Sequence, residues 1–151
     1  MRIYSSATTK ARRAQTELDG GQLVPPWECP ERVDMILAGL RRAGFTEVVA
    51  PVEHGLAPVL AVHDADYVEF LASCWDDWRA LGRKGEAIAW IWPTRTMPGR
   101  RIPACVDGRL GHYALGADTS ICAGTFEAAM ASKDVAASKV PAQIEVSAPS
   151  A

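Results

Sequence analysis

Apolar residues recur at helical spacing in two stretches of the chain. Val33, Ile36, Leu37 and Leu40 follow i, i+3, i+4, i+7, and Tyr67, Phe70, Leu71, Cys74, Trp75 and Trp78 carry the same period over a longer run. Each pattern lays an apolar stripe along one side of a helix, so each predicts a helix with one buried face. Pro30 opens the first at a position where its missing N–H costs nothing. Arg41 and Arg42 suit the negative end of its dipole, and Gly44 can cap it. The second runs from about residue 65 to Gly82, and a short helix over residues 56–62 precedes it. Its aromatic stripe reads as core rather than as the wall of a cofactor site.

Strand signals are shorter. Residues 1–4 suit an edge strand, and Glu47-Val48-Val49-Ala50 forms a second candidate closed by Pro51. A helix followed by a strand points to an α/β layout. Residues 16–30 carry Gly20-Gly21 and Pro25-Pro26, which exclude a continuous helix or a central strand. They predict an ordered loop anchored by Leu18, Leu23, Val24 and Trp27. Residues 83–104 have no clear period; an excursion of that kind marks a functional or interaction arm. Within it, Trp90 and Trp92 read equally as interface anchors and as side chains folded inward. A helix rich in small residues is expected from Asp107 to about Ile121, and another from Phe126 to about Ser132 after a break at Gly124-Thr125. Residues 131–151 are rich in Ala, Ser, Val and Pro without an apolar face and are expected to form a disordered tail.

Composition narrows the class. The 151 residues suit one domain, and 48% of them are apolar. The net charge of -2 offers no electrostatic footprint for nucleic acid or an anionic membrane. No stretch approaches the ~20 apolar residues of a membrane span. The basic, Ser/Thr-bearing start lacks the apolar region of a secretory signal. Cys29, Cys74, Cys105 and Cys122 are scattered without a C-x-x-C, which favours free thiols in a cytoplasmic protein over a zinc ribbon or a disulfide framework.

The residues by themselves assemble no catalytic constellation. His54, His63 and His112 have no helix-face spacing, and a tetrahedral zinc site needs three or four suitably placed ligands. His63-Asp64 is expected to cap or turn into the following helix rather than to bind metal. Glu17, in the Pro-rich loop, and Asp107 and Asp118, about three turns apart on the expected helix, remain. Acidic groups around a cleft attract a cation; the competing reading is a solvated face plus a helix N-terminal Asp that complements the dipole.

The run K-A-R-R-A-Q-T-E-L-D-G-G-Q-L-V-P-P-W-E-C-P-E-R, from Lys10 to Arg32, resembles the opening of the acetylpolyamine amidohydrolases, zinc deacetylases of the histone deacetylase superfamily. A-G-F-T-E-V-V-A-P and H-G-L-A-P-V-L-A-V-H-D-A-D-Y-V-E-F-L follow in order between Ala43 and Leu71, and K-G-E-A-I-A and R-I-P come later. The resemblance runs to about Ala129. It implies an incomplete arginase/deacetylase-like three-layer α/β fold with a partial parallel sheet over residues 1–130. It implies acetylated polyamines as substrates of the full-length family, and a zinc-activated water that attacks the acetamide. It makes residues 83–104 an insertion that builds a dimer interface, with Trp90 and Trp92 as its anchors. By position it matches Glu17, Asp107 and Asp118 to acidic groups at the tunnel mouth. The family's P-G-H-H-A, D-x-D-x-H-H-G-N-G-T and late Gly-Gly-Tyr motifs do not occur here. No catalytic residue, no metal ligand and no bound zinc are therefore expected of this chain, and association with an intact homologue is the alternative role.

Overall fold

A computed structural model describes residues 2–118 and 120–138. Among these residues, strands and helices are interspersed along the chain: β1 (Ile3–Tyr4), β2 (Glu17–Asp19), β3 (Gln22–Val24), α1 (Glu31–Arg42), β4 (Val48–Val49), α2 (Ala57–Leu60), α3 (Ala65–Ala80), β5 (Ala87–Ile88), α4 (Val106–Tyr113), β6 (Ser120–Ile121) and α5 (Thr125–Ala137). A 3-10 turn over Ala7–Lys10 follows β1 and packs on α5. The strands form three two-stranded sheets. β1 and β4 pair in parallel, with Ile3 opposite Val48; β2 and β3 form an antiparallel hairpin; β5 and β6 pair antiparallel, with Ala87 opposite Ile121. The parallel pair joined through α1 is the α/β unit that the helix–strand order implied.

The core sits where α3 meets β5, α4 and β6. Phe70, Cys74, Trp78, Ala87, Ala89, Val106, Leu110 and Ile121 form one buried cluster, bordered by Tyr67, Leu71, Trp75, Trp92, Tyr113 and Ala114. The aromatic stripe of α3 is thus core. Tyr113 stacks on Phe70 with ring centroids 4.8 Å apart, and Arg109 lies over the Phe70 ring, 5.4 Å from its centroid, while pairing with Asp77. Burial holds the Cys74 thiol protonated, with its pKa pushed up to about 12. Gly111 lets this core close. A Cβ there would overlap the carbonyl oxygen of Ile91, so the 83–104 segment can lie directly on α4.

Four expectations need correction. The apolar stripe of α1 is covered only in part: Val33, Leu37 and Leu40 are half-buried and Ile36 is 58% exposed. Residues 16–30 are not simply a loop. Gly20 and Gly21, both at positive φ, make a two-residue turn that folds Glu17–Asp19 onto Gln22–Val24. Leu23 and Trp27, expected as anchors, are exposed. The helix from Asp107 stops at Tyr113 instead of reaching Ile121. Ala114 is already extended, and the chain turns through residues 115–118 to place Ser120 and Ile121 beside β5. The strand pairing outweighs the helical propensity of Ala114 and Ala117. Helix α5 continues to Ala137, so the beginning of the segment read as a tail is helical; the remainder of that segment lies outside the described residues.

Candidate functional site

Each of the three candidate carboxylates has its own surroundings. Glu17 opens β2, and its Oε2 accepts the Trp27 N–H at 3.0 Å. This bond closes the Pro25-Pro26 bend back onto the hairpin. Asp107 stands in the first turn of α4, where its charge complements the helix dipole. Its Oδ2 accepts from Arg83 at 2.7 Å and its Oδ1 accepts from Trp90 Nε1 at 3.4 Å. Arg83 in turn lies over the Trp78 ring, 5.3 Å from its centroid. Asp118 sits exposed in the turn between α4 and β6. The two aspartates therefore do not share a helix, which removes the one-sided spacing expected of them. Among the described residues, no hydrogen bond links any of the three carboxylates to another.

The two tryptophans of the 83–104 segment part ways. Trp90 is 60% exposed and held by Asp107, whereas Trp92 is half-buried against the core. Trp92 Nε1 is buried with no hydrogen-bond partner among the described residues. Ile91, Met97 and Ile102 in the same segment are exposed.

The most committed carboxylate belongs to a residue that sequence reasoning did not single out. Glu86 is 8% exposed at the edge of β5. Its Oε1 accepts from Gln15 N–H at 2.5 Å and Thr16 N–H at 3.3 Å, and its Oε2 accepts from the Thr16 hydroxyl at 2.5 Å. Burial pushes its pKa up, but the Thr16 hydroxyl and the backbone N–H groups outweigh it and hold the group below the usual carboxylate range. Glu86 thereby ties the strand that begins at Glu17 to the core. The K-G-E-A-I-A run contained it, yet nothing in that run announces a partner seventy residues earlier.

The histidines do not converge. His63 packs at a tilt against Tyr67, His112 packs edge-on to Tyr113, and the His54 backbone N–H donates to Asp134. Asp64 occupies the N-cap of α3 without a side-chain capping bond, so the turn role holds but the capping bond does not form. Among the described residues, no three His, Cys, Asp or Glu side chains come together to hold a metal ion. The chain's own described residues thus do not fit zinc, and no step through zinc is drawn from them. An apolar groove of about 270 Å3 lies among Val62, His63, Tyr67, Phe126, Met130 and Lys133, away from the three carboxylates. No described helix is long and apolar enough to cross a membrane.

The chain is 53% identical over 133 residues to an acetylpolyamine amidohydrolase of Mycoplana ramosa, a match that takes in 87% of the chain. Acetylpolyamine amidohydrolases are therefore homologues of this chain. Acetylpolyamine amidohydrolase 2 of Pseudomonas aeruginosa is 40% identical over 90% of the chain. The crystal structure of an acetylpolyamine aminohydrolase from Burkholderia pseudomallei superposes on 91% of the chain with a TM-score of 0.79 and 26% identity. These helices and strands are thus a partial arginase/deacetylase fold with a small parallel sheet. The chain covers 38% of the Mycoplana relative, 39% of the Pseudomonas relative and 40% of the Burkholderia chain, so it spans about two fifths of the length of the proteins it matches. No protein-family model matches it.

Proposed function

We propose that this chain is a non-catalytic framework portion of a zinc-dependent acetylpolyamine amidohydrolase. The whole protein hydrolyses the acetamide of an acetylated polyamine, and the chain alone is inactive. The observation that carries this reading is the pairing of 53% identity to such an enzyme with coverage of only 38% of its length.

In this reading, the chain contributes attraction for the polyamine's ammonium groups rather than bond cleavage. Asp118 is suited to that role because it is exposed. Asp107 is less so, since Arg83 already offsets its charge. Glu17 lies between the two, half-buried with one oxygen engaged by Trp27. Trp90 and the exposed apolar residues of the 83–104 segment offer a subunit contact, while Trp92 packs against the core. The protein is cytoplasmic, as its unpaired thiols suggest.

The test is hydrolysis of acetylputrescine by the purified, folded chain with added zinc. The reading expects no turnover above the uncatalysed rate. Metal-dependent turnover that follows the chain through purification would overturn it.

A further inference from the structure

We infer that Glu86 is a positioning residue: by gripping the two residues before Glu17, it fixes where the Glu17 carboxylate stands. The inference deepens the proposed function and rests on its reading of Glu17 as a partner for the polyamine's ammonium groups. Its first support is the contrast between the two ends of the link. Glu86 is rooted in the core. The Gly85 carbonyl before it accepts from Trp78 Nε1 at 3.2 Å, and Ala87 after it is fully buried and paired with Ile121. Glu17 lies instead on a hairpin whose strands, among the described residues, pair only with each other. Leu23 and Trp27 beside it are exposed. A two-stranded hairpin is marginal in water, so this one needs a tie to the body of the protein.

The second support is how the tie is made. One Glu86 oxygen accepts the N–H groups of Gln15 and Thr16, and the other accepts the Thr16 hydroxyl. Two successive backbone N–H groups aimed at one oxygen fix the course of the chain there, not merely its nearness. Glu17 is the next residue, and its Cα lies only ~3.8 Å from that of Thr16. From the other side, the Trp27 N–H holds the Glu17 Oε2. Glu86 is itself 8% exposed and committed to these donors, so it is not an ammonium partner in its own right. A buried carboxylate is tolerated where such donors offset its lost hydration.

The experiment uses the full 151-residue chain and two readouts, exchange of the Trp27 amide and binding of spermidine. Glu86→Ala should speed Trp27 exchange about fivefold, because Glu17 no longer stays in place to accept from it. It should weaken spermidine binding about two- to fivefold, the same factor as Glu17→Gln. In the Glu17→Gln background, Glu86→Ala should weaken binding no further, a non-additivity that a merely structural role would not produce. Glu86→Gln should rescue both readouts at neutral pH. Its amide oxygen accepts the two N–H groups, and its NH2 donates to the Thr16 hydroxyl oxygen. Thr16→Val, which leaves the carboxylate and its backbone bonds in place, repeats the test in the same direction if Glu86→Ala does not fold. Unchanged Trp27 exchange in Glu86→Ala would overturn the inference. So would spermidine binding that Glu17→Gln weakens and Glu86→Ala does not. Binding indifferent to Glu17→Gln overturns the reading of Glu17 instead, and Trp27 exchange then decides the positioning by itself.

Discussion

Helices α1 and α3 make an instructive pair. Both carry an apolar stripe at the same spacing, and both were expected to bury it. In α3, Val68, Phe70, Cys74 and Trp78 are buried; in α1 nothing is. The difference is not in the helices but in what the chain provides to cover them. β5, α4 and β6 return to α3, and the Gly111 contact lets the 83–104 segment lie flush with α4. Helix α1 is covered less completely: Val33, Leu37 and Leu40 are only half-buried, and an ion pair between Lys10 and the exposed Asp34 holds its outer side. Amphipathicity states what a helix needs and leaves open whether the same chain supplies it.

The sharpest way to break this contrast is to truncate both sides. Leu110, 1% exposed, should cost about 2–5 kcal/mol on Leu110→Ala, as a cavity opens in the α3–α4 core. Ile36→Ala on α1 should stay within about 0.5 kcal/mol. Urea midpoints measure both, and similar losses would mean that α1 is packed after all. Next in size, Gly111→Ala should destabilise by about 1–3 kcal/mol, since the added methyl meets backbone that cannot swing away.

Glu86→Ala should cost about 1–3 kcal/mol by leaving the Gln15 and Thr16 donors without their acceptor. The same residue sets a pH dependence. Its carboxyl is held below its ordinary range in the folded chain, so its contribution is fully present above the unfolded carboxylate pKa and is lost as pH falls through the depressed folded value. Melting temperatures between pH 7 and pH 3 should therefore fall less steeply in Glu86→Gln than in the parent; parallel curves would refute the assignment. Arg83→Ala, which frees the partly exposed Asp107, should cost about 1 kcal/mol or less by thermal melting.

Thiol labelling sharpens the comparison at least energetic cost. Cys105 is exposed, Cys29 half-buried, and Cys74 and Cys122 buried. A thiol reagent should modify Cys105 first and Cys29 next. Cys74, whose thiol burial keeps protonated, should react only after denaturant is added.

Much of the local structure was legible because its causes are local. Pro30 opens α1, the spacing of Tyr67 to Trp78 sets the buried face of α3, and Gly124, in the left-handed region, precedes α5. What was not legible depends on distant partners. Ala87–Ile88 is too short to read as a strand until Ser120–Ile121 pairs with it, and that pairing ends α4 early. The hairpin at Gly20-Gly21 was hidden by the prolines beside it. The candidate site divides in the same way. Glu17, Asp107 and Asp118 came from position and charge, whereas Glu86 gains its role from Gln15 and Thr16, which only folding brings near. Family likeness identified the fold, but which carboxylates remain available to a ligand was decided by Arg83, Trp27 and the turn after Tyr113.

The central claim is that the core around α3 and α4 is fully buried whereas α1 is covered only in part. Native-state amide hydrogen exchange on the isolated chain tests it most directly. The account predicts the slowest exchange in α3 and α4 around Phe70, Cys74 and Leu110, and exchange in α1 faster by at least a hundredfold. Protection of α1 equal to that of α3 would contradict it.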